Sequence, residues 1–276
     1  MSKIGKLRKV IWRRPKCVLQ PKWTHRVFFP HVPKCAGTSV NSMIRGSFND
    51  MHSQSIDLHK SKLAASSIGL DIMAQRKALV AYWMANDRPS LISGHCHCPP
   101  SLTKEFSSRW NFITVLREPT DRWISEFVFN TYKPLDDSWA RNKLPLSKFL
   151  DTEKAIRMGQ TLASYFGAPD ADDNEKVLTA ATNLKMFALV GFQTHLPEFQ
   201  SKLSSMLNVA LPFTESNRSP NSVEADKIRS DPGAMRAVRE LCKLDLKLWS
   251  TLVHYFGSPD IQESEKGCQV PQMQSR

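Results

Sequence analysis

The first acidic residue of this chain is Asp50. Ahead of it stand eleven basic side chains (Lys3, Lys6, Arg8, Lys9, Arg13, Arg14, Lys16, Lys22, Arg26, Lys34 and Arg45), so eleven of the net +12 charges fall in the first 49 of 276 residues. The rest is nearly balanced, with 27 basic against 26 acidic residues. Such an asymmetry fits a solvated basic tail, or attraction to an anionic ligand, a nucleic acid or a membrane surface, and composition alone does not choose among them. Long apolar runs are also missing. No stretch of 18 apolar residues occurs, and the short apolar patch Val10 to Trp12 is broken by Arg13 and Arg14, which argues against a membrane span or a cleaved signal. The six cysteines (17, 35, 96, 98, 242 and 268) form no CxxC pair and no disulfide-dense spacing, as expected of thiols in a reducing compartment. A cytoplasmic location is the expectation. Internal repeats and low-complexity tracts are absent as well.

What is present is a chain of 41% hydrophobic and 23% charged residues, long enough for one large α/β domain. The run "RVFFPHV" from Arg26 reads as a strand, "KCAGTS" as a tight loop, and Val40, Met43 and Ile44 as one face of a helix over roughly Thr38 to Arg45. Residues 47 to 61 are polar and read as a loop. "IMAQRKALVAYWMAN" has helical composition, "SLISGH" and "NFITVL" read as strands, and "DRWISEFVFN" places Trp123, Phe127 and Val128 at helical spacing. Further helices are expected near 146 to 158, 175 to 187 and 195 to 207, with "ALVGF" a strand before the last. Met235, Val238, Leu241, Cys242, Trp249, Leu252, Val253 and Phe256 trace one face of a long terminal helix.

Strands alternating with helices predict a mostly parallel sheet with helices on both faces. Ligands of such sheets bind at the carboxyl ends of the strands, where loops 32 to 38, 94 to 98 and 117 to 121 would meet. In the first loop Gly37 lets backbone approach a ligand, the N–H groups of 36 to 39 open a helix and can face an anion, and Lys34 adds a point charge. Because Lys34 precedes the glycine, this is not the GxxxxGK[ST] phosphate loop. In the third loop Arg117 ends a strand and Ser125 follows eight residues later, a guanidinium suited to bidentate phosphate binding and a hydroxyl donor. Arg117 could equally cap a helix or pair with Asp121.

These features together, PKxxGTS after a hydrophobic strand, a Gly-His strand end and LREPxxRxxSEF, resemble the carbohydrate sulfotransferases that use 3′-phosphoadenylyl sulfate, especially the heparan sulfate 2-O-sulfotransferase-like group. The resemblance is specific over Phe28 to Phe129 and thinner in "FALVGFQTHLPEF", "ESNRSP" and "LDLKLWSTLVHYF". It implies a P-loop-like fold and one sulfotransferase domain over 26 to 258; the first 25 residues match nothing in it and read as a basic tail, and 259 to 276 read as a flexible tail. It implies that Lys34, with the backbone and hydroxyls of Cys35, Ala36, Gly37, Thr38 and Ser39, holds the 5′-phosphosulfate of the co-substrate, and that Arg117 and Ser125 hold its 3′-phosphate. By the same resemblance His95 is the general base, Lys34 stabilises the departing phosphate, no metal is required, and the acceptor is a hydroxyl of a carbohydrate or glycoconjugate. No nucleic-acid partner is expected, while the basic amino terminus could touch an anionic membrane surface.

The stretch "LISGHCHCPP" also contains four zinc-type donors. On an extended strand His95 and His97 share one face and Cys96 and Cys98 the other, so the four would not converge unless the loop bends or distant donors such as His31 or Cys35 join. His97 reads either as a second acceptor-side group, as a histidine pair at this spacing in the family suggests, or as a surface residue, and Glu118 is a reserve base. Two other classes stay open: a P-loop nucleotide kinase, which should show GK[ST] and an aspartate for Mg²⁺, and a non-enzymatic protein binding nucleic acid or a membrane surface through its basic amino terminus and Trp12 and Trp23.

Overall fold

The computed structural model describes residues 25–48, 52–86, 88–132, 141–211 and 221–257. The two tails predicted from sequence, His25 excepted, and the "ESNRSP" motif at 215–220 lie outside the described residues. Five strands form one sheet: β1 (Val27–Pro30), β2 (Ser53–Ile56), β3 (Leu91–Gly94), β4 (Asn111–Leu116) and β5 (Leu189–Phe192). Their order is β2-β3-β1-β4-β5, and every neighbouring pair is parallel. The α/β architecture read from the sequence is the one observed.

Period-two alternation sends the side chains of each strand to two cores. Val27, Phe29, Leu91, Ile113 and Val115 face α1 (Gly37–Arg45), through Val40, Met43 and Ile44, and α10 (Leu196–Leu207), through Phe199, Leu203 and Leu207. Phe28, Ile92, Phe112 and Leu116 face the other way, toward Val80 and Met84 of α3 (Ile72–Ala85), Leu184 of α9 (Asp173–Lys185) and Leu248 and Leu252 of α13 (Lys243–Phe256). A third cluster gathers Trp123 and Phe127 of α5 (Pro119–Tyr132) with Phe149 of α6 (Leu146–Phe149), Met158 of α7 (Glu153–Gly159), Ile228 of α11 (Ser222–Ser230) and Val238 of α12 (Pro232–Leu241). Each fully buried side chain of this size contributes about 1.5–3 kcal/mol relative to exposure.

Several elements differ from the sequence reading. The polar segment 47 to 61 contains β2 and the start of α2 (Leu58–Ser67). Only Ile56 of β2 is buried, so an edge strand left no apolar alternation to read. Helices α4 (Pro100–Phe106) and α8 (Thr161–Phe166) are short. The terminal helix is two helices, α12 and α13, meeting at Cys242 (φ −89°, ψ 4°). There the buried Asp245 accepts the backbone N–H groups of Leu162 and Ala163 at 2.8 and 2.9 Å, capping α8 from a distant part of the chain. Among the described residues no helix is long and apolar enough to cross a membrane.

Candidate functional site

Because β1, β3 and β4 are adjacent and parallel, the loops leaving them emerge together. The end of β1 is fixed on both sides. The Thr114 hydroxyl donates to the Pro30 carbonyl at 3.2 Å, and the His31 N–H donates to the Gly94 carbonyl at 2.8 Å. After His31 the chain enters a tight turn in which Lys34 (φ 64°) and Ala36 (φ 58°) are both left-handed, and α1 begins at Gly37. Neither is a glycine, so each conformation costs about 1–3 kcal/mol that surrounding contacts must offset. Gly37 is required by its neighbour: a Cβ there would overlap the His31 imidazole.

Around this turn the predicted ligands are distributed unevenly. Thr38 is exposed at the first turn of α1, whereas Ser39 is buried. Cys35 is also buried, its thiol pushed up to about 12 by desolvation and directed at the Pro33 carbonyl, so this residue offers the turn its backbone only. The Lys34 ammonium lies 3.7 Å from the centroid of the Phe129 ring, a cation-π contact with α5.

The β3 loop turns sharply at Gly94. Its φ of 143° and the approach of Ile56, whose Cβ would stand 2.6 Å from a Cβ at position 94, together demand glycine. The strand therefore ends one residue before His95. Cys96 and Cys98 turn into the core, with burial raising both thiol pKa values, that of Cys96 to about 12. His95 and His97 stay at the half-buried rim. The four donors of the opening motif thus diverge, and among the described residues no group of three or more His, Cys, Asp or Glu side chains is placed to share a metal ion.

His95 is held on several sides. Its Nδ1 lies 2.7 Å from the His31 carbonyl oxygen, an acceptor only, so Nδ1 carries the proton and Nε2 is left with its lone pair. Its ring stacks on that of His31 at 4.1 Å between centroids, and its own carbonyl accepts from Arg76 Nη1 at 3.0 Å. Desolvation holds the His95 pKa below the usual histidine value, and the Arg76 charge lowers it further, against the raising effect of the His31 carbonyl. His97 stands beside Tyr165, with ring centroids 4.9 Å apart, and desolvation lowers it to about 4.

The third loop supplies Arg117. It is half-buried, its Nε is wholly buried without a hydrogen-bond partner, and Nη1 reaches the Lys34 carbonyl only at 3.5 Å. Asp121, the carboxylate that could have neutralised it, is engaged by Arg229 of α11 at 3.0 Å. Among the described residues Arg117 forms no direct ion pair; desolvation lowers its pKa, and the Asp121 charge, shared with Arg229, offsets that only in part. Ser125 lies half-buried on α5, four residues before Phe129 on the same helix face. Glu118 serves otherwise: one carboxylate oxygen accepts from the Thr120 hydroxyl at 2.6 Å and the Asp121 N–H at 2.7 Å, capping α5. Arg122, also in this loop motif, is fully buried and paired with Glu126.

The sequence reading missed His31 as a partner of His95, since its only signal was a histidine two residues beyond Phe29. It missed Arg76 as well, which lies on a helix read only for composition. No protein-family model matches the chain, and no curated protein matches it. Among solved structures, the mouse sulfotransferase SULT7A1 complexed with PAP is similar at a TM-score of 0.40, with 14% identity over 75% of this chain and 67% of that one. A likeness that remote assigns no residue here.

Proposed function

We propose that this chain transfers a sulfuryl group from 3′-phosphoadenylyl sulfate to a hydroxyl of a carbohydrate or glycoconjugate. The observation that carries the reading is Arg117: a half-buried guanidinium at the carboxyl edge of the sheet, without a direct ion pair among the described residues and with its buried Nε lacking a hydrogen-bond partner, next to a turn of left-handed backbone and a lysine. Such a group is stabilised by an anion, and an anion with two separated phosphates would meet both loops. Lys34 and the backbone of 35 to 39, with the Thr38 hydroxyl, take the 5′-phosphosulfate. Arg117 and Ser125 take the 3′-phosphate.

His95 then acts as the base. Its Nε2 lone pair accepts the acceptor's hydroxyl proton while that oxygen attacks sulfur, and the bond from sulfur to the bridging oxygen breaks in line. Adenosine 3′,5′-bisphosphate leaves, and Lys34, moving off Phe129, meets the charge that grows on its 5′-phosphate. The tautomer fixed by the His31 carbonyl is the one this step needs. The acceptor class rests on the sequence resemblance.

Incubation with labelled 3′-phosphoadenylyl sulfate and a panel of glycans, glycolipids and small alcohols tests the reading. Label transfer to a hydroxylated acceptor, competed by adenosine 3′,5′-bisphosphate, is expected. Absence of both transfer and bisphosphate binding would refute it.

A further inference from the structure

The His31 side chain has no part in the chemistry above, yet it sits between β1, the loop of His95 and the opening of α1. Its ring lies parallel to Phe29 (interplanar 8°, centroids 5.8 Å apart) and stacks at 4.1 Å on His95. Its edge lies where a side chain at Gly37 would be, so the opening of α1 packs directly on it. Phe29, His31 and His95 therefore form a continuous stack rooted in the core beside β1. We propose that His31 is a positioning residue for His95, its flat ring fixing the plane of the base and linking that plane to the phosphate-facing turn. The inference rests on His95 being the base.

Two constraints define the orientation of an imidazole: a hydrogen bond in its plane and a surface against its face. The His31 backbone carbonyl supplies the first and survives any substitution at this position. The ring supplies the second. Burial, His95 and Lys34 lower the His31 pKa to about 3, so it remains a neutral platform when His95 takes a proton. The other charges facing His95 are Arg76 on α3, which opposes protonation, and Glu126 on α5, which favours it.

The experiment compares His31→Leu with His31→Phe. Both fill the space with apolar atoms, but only phenylalanine offers a flat face. Leucine is expected to lower kcat by about 10²-fold, the scale of a reacting group displaced by about 1 Å, with KM for the sulfuryl donor within about twofold of wild type. Phenylalanine is expected to recover most of that loss. In parallel, nitrogen chemical shifts of His95, read by NMR in the free protein, should keep the Nδ1–H tautomer and wild-type titration midpoint in the Phe variant. In the Leu variant the midpoint should move upward as water reaches the ring. Equal kcat in the two variants, or an unchanged His95 titration in the Leu variant, would overturn the proposal. The NMR arm needs no turnover, so it reports on the stack even if the sulfuryl-transfer reading itself fails.

Discussion

Gly37→Ala isolates one contact. Position 37 opens α1 with ordinary helical backbone rather than a left-handed φ, so alanine is conformationally acceptable there and should gain up to about 1 kcal/mol from helix propensity. The sole objection is the His31 ring. The new methyl would overlap its Cδ2 and Nε2, with even Cγ only 2.5 Å away, and the ring has little room to retreat between Phe29 and His95. Direct overlap of the new Cβ with Cδ2 places the clash in the upper part of the overpacking range, about 2–3 kcal/mol, which leaves a net loss of about 1–2 kcal/mol. Urea unfolding of wild type, Gly37→Ala, His31→Ala and the double variant gives the answer. With the ring gone, the same Gly37→Ala change should become stabilising, and the coupling between the two sites should be about 2–3 kcal/mol, the upper range for residues in contact. An equal loss in both backgrounds, or a Gly37→Ala protein as stable as wild type, would refute the packing argument.

Arg117→Ala is expected to weaken adenosine 3′,5′-bisphosphate binding by about 1.5–3 kcal/mol in calorimetric titration, and Ser125→Ala by less, since a charged hydrogen bond is exchanged in the first case and a neutral one in the second. His95→Ala should fold and keep the bisphosphate but lose about 10²- to 10⁴-fold in turnover. The acid limb of the wild-type kcat/KM profile should fall below pH 6.5, because burial disfavours imidazolium. Stability should respond to pH with two opposed signs. His31 and His97, lowered to about 3 and about 4, contribute stability that is complete above about pH 6.5 and lost as pH falls through their folded values. Asp245, raised by burial to about 7, contributes stability that is complete below about pH 4 and lost as pH rises through 7. Denaturant unfolding of Asp245→Asn against wild type should thus show a stability difference that shifts in favour of the variant between pH 4 and 7, by no more than about 1.4 kcal/mol per pH unit. A pH-independent difference would contradict the carboxyl assignment.

The strands that carry the candidate site were legible because β1, β3 and β4 are buried and β-branched or aromatic, and their loops hold the glycines and prolines that end them. The edge strand β2 was not, since "SQSI" buries one residue and its pairing with β3 supplies the rest. The division between α12 and α13 was hidden by apolar spacing that continues through Cys242, and the buried hydrogen bonds of Asp245 to α8 beside it are tertiary. In the site, chain order brought the loops of Lys34, His95 and Arg117 to one edge, and the family resemblance singled out His95 within its loop. What neither could supply was the placement of His31 against His95 or of Arg229 on Asp121, contacts between residues 64 and 108 positions apart.

The turn from Pro33 to Ala36 has a thermodynamic corollary. Its two left-handed residues are ones that an unfolded chain seldom samples, so the freedom lost in shaping it is surrendered during folding and not when a ligand arrives. Association at that turn should consequently proceed with little ordering of backbone.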